Sequence, residues 1–380
     1  MKRILSLGFA AMLAATAPAF AQQAPIKVGT IFPLSGGAGP DGQSVTNGAK
    51  LALEQINEKG GLLGRKLVLI SKDDESTPAV GVSRANELIA EKVDVVIEGW
   101  NSPVTLAMQP ILARAGILDI TTVSKADLIL AGQSNPLAIR INSSNGLDAA
   151  VIAKYVAETL KAKKVAFLTQ NDAYGNGFQT AVEAEFKKLN FSPEVTTEKF
   201  AFKDTDFRVQ LTNIKAANVD AVIVTSASNS SGLPATIEQY RQADIKAAFV
   251  GAVGIMLPTV FKIAGDANNG IVSSDIYFWN LPPFSTIPEN VSFVAAYKKA
   301  YGVEPDKSAA LGAGAVQVWA GAVEQTKSLD RKTVAEAIRG KTIKGTLFGD
   351  ATFLPNGQMQ PRYVVFKVVD GKNAKLEALQ

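Results

Sequence analysis

Runs of β-branched residues alternate with amphipathic stretches along this chain, and the alternation happens twice over. Such a pattern confines the fold to parallel sheets covered by helices, because each βαβ crossover lays a helix across a face of its sheet. The first series has strands at Ile26 to Phe32, Lys66 to Ser71, Val93 to Ile97 and Ile117 to Ile120, with helical stretches at Val45 to Glu58, Ala79 to Glu91 and Thr105 to Ala115. The second begins after Arg140: helices from Gly146 to Leu160, Gly177 to Leu189 and Phe207 to Ala217 interleave with strands at Lys164 to Thr169, near Val195, and at Ala221 to Thr225. A strand within Ile271 to Trp279 leads into Leu281-Pro282-Pro283. Three late helices follow, Pro288 to Tyr301, Ser308 to Thr326 and Lys332 to Ile338, with no new strands to cover. These are expected to pack on the first lobe, while the tail from Thr342 to Val369, with its Leu354-Pro355-Asn356-Gly357 turn, should supply edge strands. One core would be strained in 380 residues, since single cores stop growing near ~250 to 300. The expected fold is therefore α/β: two doubly wound parallel-sheet lobes joined by a multi-strand hinge. Residues 22–143 and 275–343 are assigned to lobe one, and 144–274 and 344–380 to lobe two.

At the N-terminus, Lys2 and Arg3 precede an apolar stretch from Ile4 to Ala15 and a small-x-small Ala19-Phe20-Ala21. These are the three parts of a signal peptide cleaved after Ala21, so the mature chain is expected outside the cytoplasm. No later run reaches the ~18 uninterrupted apolar residues of a membrane helix. The sequence holds no cysteine, so neither disulfides nor a lipid-bearing cysteine is available to it. It also holds no histidine, which removes the usual neutral-pH base and the commonest metal ligand. No clustered carboxylate, Ser-Lys or oxygen-ligand spacing takes their place, so no catalytic residue, metal or cofactor is expected. Two of the 39 basic residues lie in the export segment, leaving 37 against 35 acidic ones, too even a balance for nucleic-acid binding. Binding of a small molecule by a monomer is the expected role.

Ligands of open α/β sheets bind beyond the carboxyl ends of the strands, which singles out three segments. In Gly99-Trp100-Asn101-Ser102-Pro103, Ser102 is read as a helix cap and Pro103 as the first helical residue, leaving N–H groups and a positive helix end to favour a carboxylate. An ordinary capped helix explains the same residues, and Trp100 serves either lobe packing or a flat ligand wall. Thr121-Thr122-Val123-Ser124-Lys125 gathers hydroxyls and one cation; Ser124 serves equally as a cap, and Lys125 by default as a solvated side chain. Asn171-Asp172-Ala173-Tyr174-Gly175-Asn176-Gly177 reads as a turn that projects Tyr174. The glycine-rich Ser35-Gly36-Gly37-Ala38-Gly39 lacks the Lys-Ser/Thr ending of a phosphate cradle, and Asp73-Asp74-Glu75 reads as a solvated loop.

Several of these stretches, in order, resemble one family. They are Ile26-Lys27-Val28-Gly29 through Pro33-Leu34-Ser35-Gly36, Asn47-Gly48-Ala49, Ile56-Asn57-Glu58-Lys59-Gly60-Gly61-Leu62-Leu63-Gly64-Arg65-Lys66, Lys72-Asp73-Asp74-Glu75, Asp172-Ala173-Tyr174-Gly175 and Ile263-Ala264-Gly265-Asp266-Ala267. Together they resemble periplasmic binding proteins of the branched-chain amino acid (Leu/Ile/Val) class. The resemblance implies a type I two-lobed protein that closes on a small ligand and delivers it to an inner-membrane ABC permease. It carries the family's carboxylate-binding serine onto Ser102 and its second-lobe tyrosine onto Tyr174. The family's ammonium pocket does not carry over: its threonine falls on Lys125, and its second-lobe glutamate falls near Val253. A buried ammonium without a carboxylate partner costs several kcal/mol.

The expected ligand is therefore a carboxylate without an α-ammonium, an aromatic or keto acid. Its expected contacts are Trp100, Asn101, Ser102, Thr122, Val123, Ser124, Lys125, Tyr174, Ser228 and Val253, the small Ser226-Ala227-Ser228-Asn229 segment leaving it room. The alternatives are a branched-chain or other amino-acid carrier, and a ligand-sensing partner of a membrane receptor.

Overall fold

The computed structural model describes residues 24–131 and 135–379, so the expected signal peptide and its cleavage after Ala21 lie outside the described residues. The first lobe contains β1 (Ile26–Phe32), α1 (Gly39–Glu58), β2 (Leu67–Asp73), α2 (Pro78–Ala90), β3 (Val95–Glu98), α3 (Ser102–Arg114), β4 (Leu118–Thr121) and β5 (Ala138–Arg140). Its sheet runs β2-β1-β3-β4-β5, parallel throughout. The second lobe follows with α4 (Asn145–Lys154), β6 (Lys164–Gln170), α5 (Ala173–Lys188), β7 (Glu194–Phe200), α6 (Arg208–Ala216), β8 (Ala221–Thr225), α7 (Gly232–Gln242), β9 (Ala248–Gly251), α8 (Pro258–Ala264) and β10 (Val272–Asp275). Then come α9 (Pro288–Tyr301), α10 (Lys307–Thr326), α11 (Arg331–Ile338), β11 (Thr342–Thr346), β12 (Gly349–Thr352), β13 (Val364–Asp370) and β14 (Lys375–Ala378).

The second sheet runs β14-β13-β10-β9-β8-β6-β7, parallel from β10 to β7 and closed on one side by antiparallel β13 and β14. The fold is thus the expected pair of doubly wound lobes, with an antiparallel edge on the second. Central strands such as β8 are buried along their whole length, which is why they read as unbroken apolar runs. The tail departs from expectation in one respect: β11 and β12 form their own two-stranded ribbon and only β13 and β14 join the sheet edge. Leu354 to Gly357 is the expected turn, closed by the Gly357 N–H donating to the Leu354 carbonyl at 2.9 Å. The segment read as a loop around Tyr174 is instead largely the start of α5, because the Asp172 carboxylate caps it, accepting from the Tyr174 and Gly175 N–H groups. The expected helix to Leu160 is α-helical only to Lys154 and π-helical from Tyr155.

The chain crosses between the lobes at residues 141–144, 276–287 and 353–363. Two crossings are tied together by Arg140, which donates from Nε to Gln358 Oε1 at 2.7 Å and from Nη1 to the Ala126 carbonyl at 2.9 Å, while Gln358 donates to the Asn142 carbonyl. No helix among the described residues is long and apolar enough to cross a membrane.

The late helices pack on lobe one as expected, α10 most intimately against α1. That approach is backbone to backbone: a Cβ on Gly48 would sit 1.9 Å from the Ala309 carbonyl oxygen, and one on Gly312 would sit 1.9 Å from that of Val45. Neither neighbour is a flexible side-chain end, so the helices must separate to admit a methyl group. Gly48→Ala and Gly312→Ala are each expected to destabilise the protein by about 1–3 kcal/mol in urea unfolding. Gly146→Ala, whose Cβ would meet only ordinary contacts, should be neutral or stabilising.

Candidate functional site

Both sheets reverse their strand order once, between β1 and β3 in the first and between β6 and β8 in the second. The loops leaving these strands face each other across the interlobe cleft, where such folds hold their ligands. The cavity there is lined by Trp100, Asn101 and Ser102 after β3, Val123 and Lys125 after β4, Gln170, Asp172 and Tyr174 after β6, Ser226, Ala227 and Asn229 after β8, Val253, Gly254, Ile255 and Leu257 after β9, and Lys307 at the start of α10. It is small: the centre of a water-sized sphere can sweep about 40 Å³ of it.

Of the expected contacts, Trp100, Asn101, Ser102, Val123, Lys125, Tyr174 and Val253 come together here. Thr122, Ser124 and Ser228 do not line the cavity, because each hydroxyl is spent on its own lobe. Thr122 donates to the Glu98 and Gly99 carbonyls, Ser124 pairs with Thr105 at 2.8 Å, and Ser228 pairs with Ser231 while accepting from the Gly232 N–H. The role expected of Ser102 as helix cap is also corrected: Asn101 stands at the cap position and Ser102 is the first residue of α3. Its hydroxyl oxygen accepts from the Lys125 and Ala126 N–H groups at 3.2 and 3.1 Å, stapling the loop after β4 to the loop after β3. That leaves the Ser102 proton to donate.

Lys125 is not solvated; it is 5% exposed and turned inward. Its ammonium donates to Asp148 Oδ2 at 2.6 Å and to the Val253 carbonyl at 2.8 Å, both in lobe two. Burial pulls this ammonium below the usual lysine range, with Asp148 opposing the shift. Asp148 also accepts from the Tyr363 hydroxyl at 2.9 Å. Lys307 went unassigned; its ammonium donates to the Gly254 carbonyl at 2.7 Å and lies 3.6 Å from Asp275 Oδ1. Its position after Asp306, which caps α10, is the only local signal that could have marked it. Gln170, Asp172, Ser226, Ala227, Asn229, Ile255 and Leu257 also went unassigned; Asp172 was within reach, since its capping role fixes the turn that holds Tyr174.

Other contacts draw the lobes together. Trp100 Nε1 donates to the Ala227 carbonyl at 3.4 Å, Thr259 Oγ1 to Asp41 Oδ1 at 3.3 Å, and the Ser230 hydroxyl to the Gly37 carbonyl. The conformation is closed. Beneath the Trp100 loop, Glu98 accepts from Thr105 and Thr121 at 2.7 Å each, and burial holds both it and neighbouring Asp119 above the usual carboxylate range. No group of three or more acidic, histidine or cysteine side chains placed to hold a metal ion occurs among the described residues.

Asp74 likewise departs from the solvated reading: it is fully buried, and burial raises its pKa to about 7, as it does that of Asp41. A carboxyl group whose pKa is higher folded than unfolded binds extra protons in the folded state. Its stabilising contribution is complete below the unfolded value of 3.8 and is lost as pH rises through about 7. Asp74→Asn should therefore lose less stability than the parent between pH 5 and pH 8 in paired urea titrations.

The family model for periplasmic binding proteins matches residues 25–373. The Leu/Ile/Val-binding protein BraC3 of Rhizobium johnstonii is 32% identical over 368 residues, covering 96% of this chain and 97% of its own. A leucine-binding protein from Thermotoga maritima superposes with a TM-score of 0.84 at 26% identity, covering 93% of this chain and 98% of its own. The solute-binding protein of an ABC transporter from R. palustris, solved in complex with benzoate, superposes with a TM-score of 0.82 at 25% identity, covering 94% and 96%.

Proposed function

Because this chain belongs to the periplasmic binding protein family, we propose that it captures a small carboxylate lacking an α-ammonium, an aromatic or keto acid, between its lobes and hands it to an inner-membrane permease. The family comprises solute-binding proteins of ABC transporters and not enzymes. Under this proposal the chain acts as a monomer in the periplasm, after removal of the segment ending at Ala21.

Lys125 carries the reading. A ligand ammonium in this cavity would need acceptors, and the two best placed, Asp148 and the Val253 carbonyl, already hold the Lys125 ammonium. The Gly254 carbonyl holds Lys307 in the same way. Among the described residues Asp172 is the one carboxylate lining the cavity, and it is committed to the Tyr174 and Gly175 N–H groups and to Gln170. An incoming ammonium would face two like charges and no free carboxylate, whereas an incoming carboxylate meets two cations and the Ser102 proton. Trp100 and Tyr174 offer apolar ring faces for the rest of the ligand, in keeping with the benzoate bound by the R. palustris relative.

A branched-chain amino-acid carrier is the second reading, favoured by the name of the R. johnstonii relative. Calorimetry on matched pairs separates the two: phenylpyruvate against phenylalanine, and 4-methyl-2-oxopentanoate against leucine, at one pH. The keto acid is expected to bind at least tenfold tighter, about 1.4 kcal/mol. An amino acid that binds tenfold tighter returns the chain to the branched-chain reading. Ser102→Ala should weaken carboxylate binding by about 1.5–3 kcal/mol, the value of a charge-assisted hydrogen bond. An unchanged affinity would leave Ser102 as the staple between two loops and nothing more.

A further inference from the structure

We infer that Lys307 is a specificity-determining residue that reads a third oxygen, beside the two of the carboxylate, at the acid end of the ligand, so that the closed cleft prefers a 2-oxo acid to the same carboxylate without the 2-oxygen. This rests on the carboxylate reading and narrows it. An ammonium has three protons to donate. Lys125 spends two, on Asp148 and the Val253 carbonyl, and keeps one. Lys307 spends one, on the Gly254 carbonyl; Asp275 at 3.6 Å is an ion-pair neighbour beyond hydrogen-bond length, so two protons remain. Both side chains are almost wholly buried and both line the cavity, so their unspent donors need partners there.

The donors come from separate elements. Ser102 and Lys125 are joined through the loop staple and form one wall, fit for the two oxygens of a carboxylate. Lys307 arrives from α10 and is seated on the Gly254 carbonyl, next along the chain from the Val253 carbonyl that holds Lys125, so its protons are additional to those of Ser102 and Lys125. A 2-oxo acid places a third acceptor beside its carboxylate; a simple acid leaves the Lys307 donors unsatisfied at a cost of the kind that makes a polar site reject an analogue lacking its partner. The seat for Lys307 is built into the backbone. Gly254 has φ of +75°, and a Cβ there would lie 1.8 Å from the Lys307 nitrogen, so only glycine lets the ammonium lie against that carbonyl.

The test compares phenylpyruvate with 3-phenylpropanoate, and 4-methyl-2-oxopentanoate with 4-methylpentanoate, by calorimetry on the parent protein, Lys307→Met, Lys307→Arg and Lys125→Met. The parent should bind the better 2-oxo acid at least tenfold tighter than its partner. Lys307→Met should bring that ratio to near one, Lys307→Arg should keep part of it, and Lys125→Met should weaken both acids alike. Should Lys307→Met fail to fold, Gly254→Ala displaces the ammonium without removing its charge and is expected to lower the same ratio. Equal affinities in the parent, or a ratio untouched by Lys307→Met or Gly254→Ala, overturn the assignment while leaving the carboxylate reading standing. If neither acid of a pair binds while the amino acids do, it is the carboxylate reading that fails.

Discussion

Two lysines of the first lobe, seated on consecutive carbonyls of the second, are the interaction on which the closed cleft depends. Lys125 and Lys307 reach across to the carbonyls of Val253 and Gly254, and each has an aspartate of lobe two as its neighbour, Asp148 for one and Asp275 for the other. Four charges are thereby gathered where water is largely excluded. Burial pulls the Lys125 ammonium down and pushes the Asp275 carboxyl up. For Lys125 and Asp275 the opposite charges nearby work against that shift. The cavity, its polarity and the orientation of its walls all follow from where these side chains end.

The fold brings those ends together by a simple route. Each sheet has one point at which its strand order reverses, and loops leaving neighbouring strands there diverge to opposite faces and open a crevice. Two crevices set face to face make the cleft. The Arg140–Gln358 pair ties two of the crossing segments to each other. Close packing of α10 against α1 fixes the start of α10 to lobe one, which is why Lys307 belongs to the first lobe although it lies far along the chain.

Much of this architecture was legible in the sequence, because parallel strands buried on both faces read as apolar runs and amphipathic helices keep their period. Most of the elements that escaped are short: β5 and β9 have three and four residues and α8 has seven, whereas α7, with eleven, escaped despite its length. At the site, segments that directly follow a strand could be found, and Trp100, Ser102, Lys125 and Tyr174 were among them. Which hydroxyls face the cavity could not be told. Thr122, Ser124 and Ser228 have the same chemistry as Ser102 and differ only in which backbone groups of their own lobe lie within reach. Lys307 had no strand before it and no motif around it; tertiary packing alone carries it into the cleft. Asp74 misled for the opposite reason, since an acidic run looks solvated until the fold covers one member of it.

Buried ion pairs contribute little net stability, because the cost of stripping water from both partners roughly offsets their attraction. The same balance makes them suited to a hinge. In an open cleft the two lysines and two aspartates would be hydrated, and in the closed cleft they are paired, so the free-energy difference between the states is small and its sign is open to influence. A ligand moves such an equilibrium only by as much as it prefers one state. Lys125, Lys307 and Ser102 all belong to the first lobe, and the second lobe supplies the Val253 and Gly254 carbonyls that hold the two ammoniums in place; under the proposed carboxylate reading, an anion that satisfies their unspent donors binds the closed state selectively. A cation gains nothing there and meets two like charges. Under that reading, selection of the ligand and closure of the cleft are one event, in which the same three side chains take part.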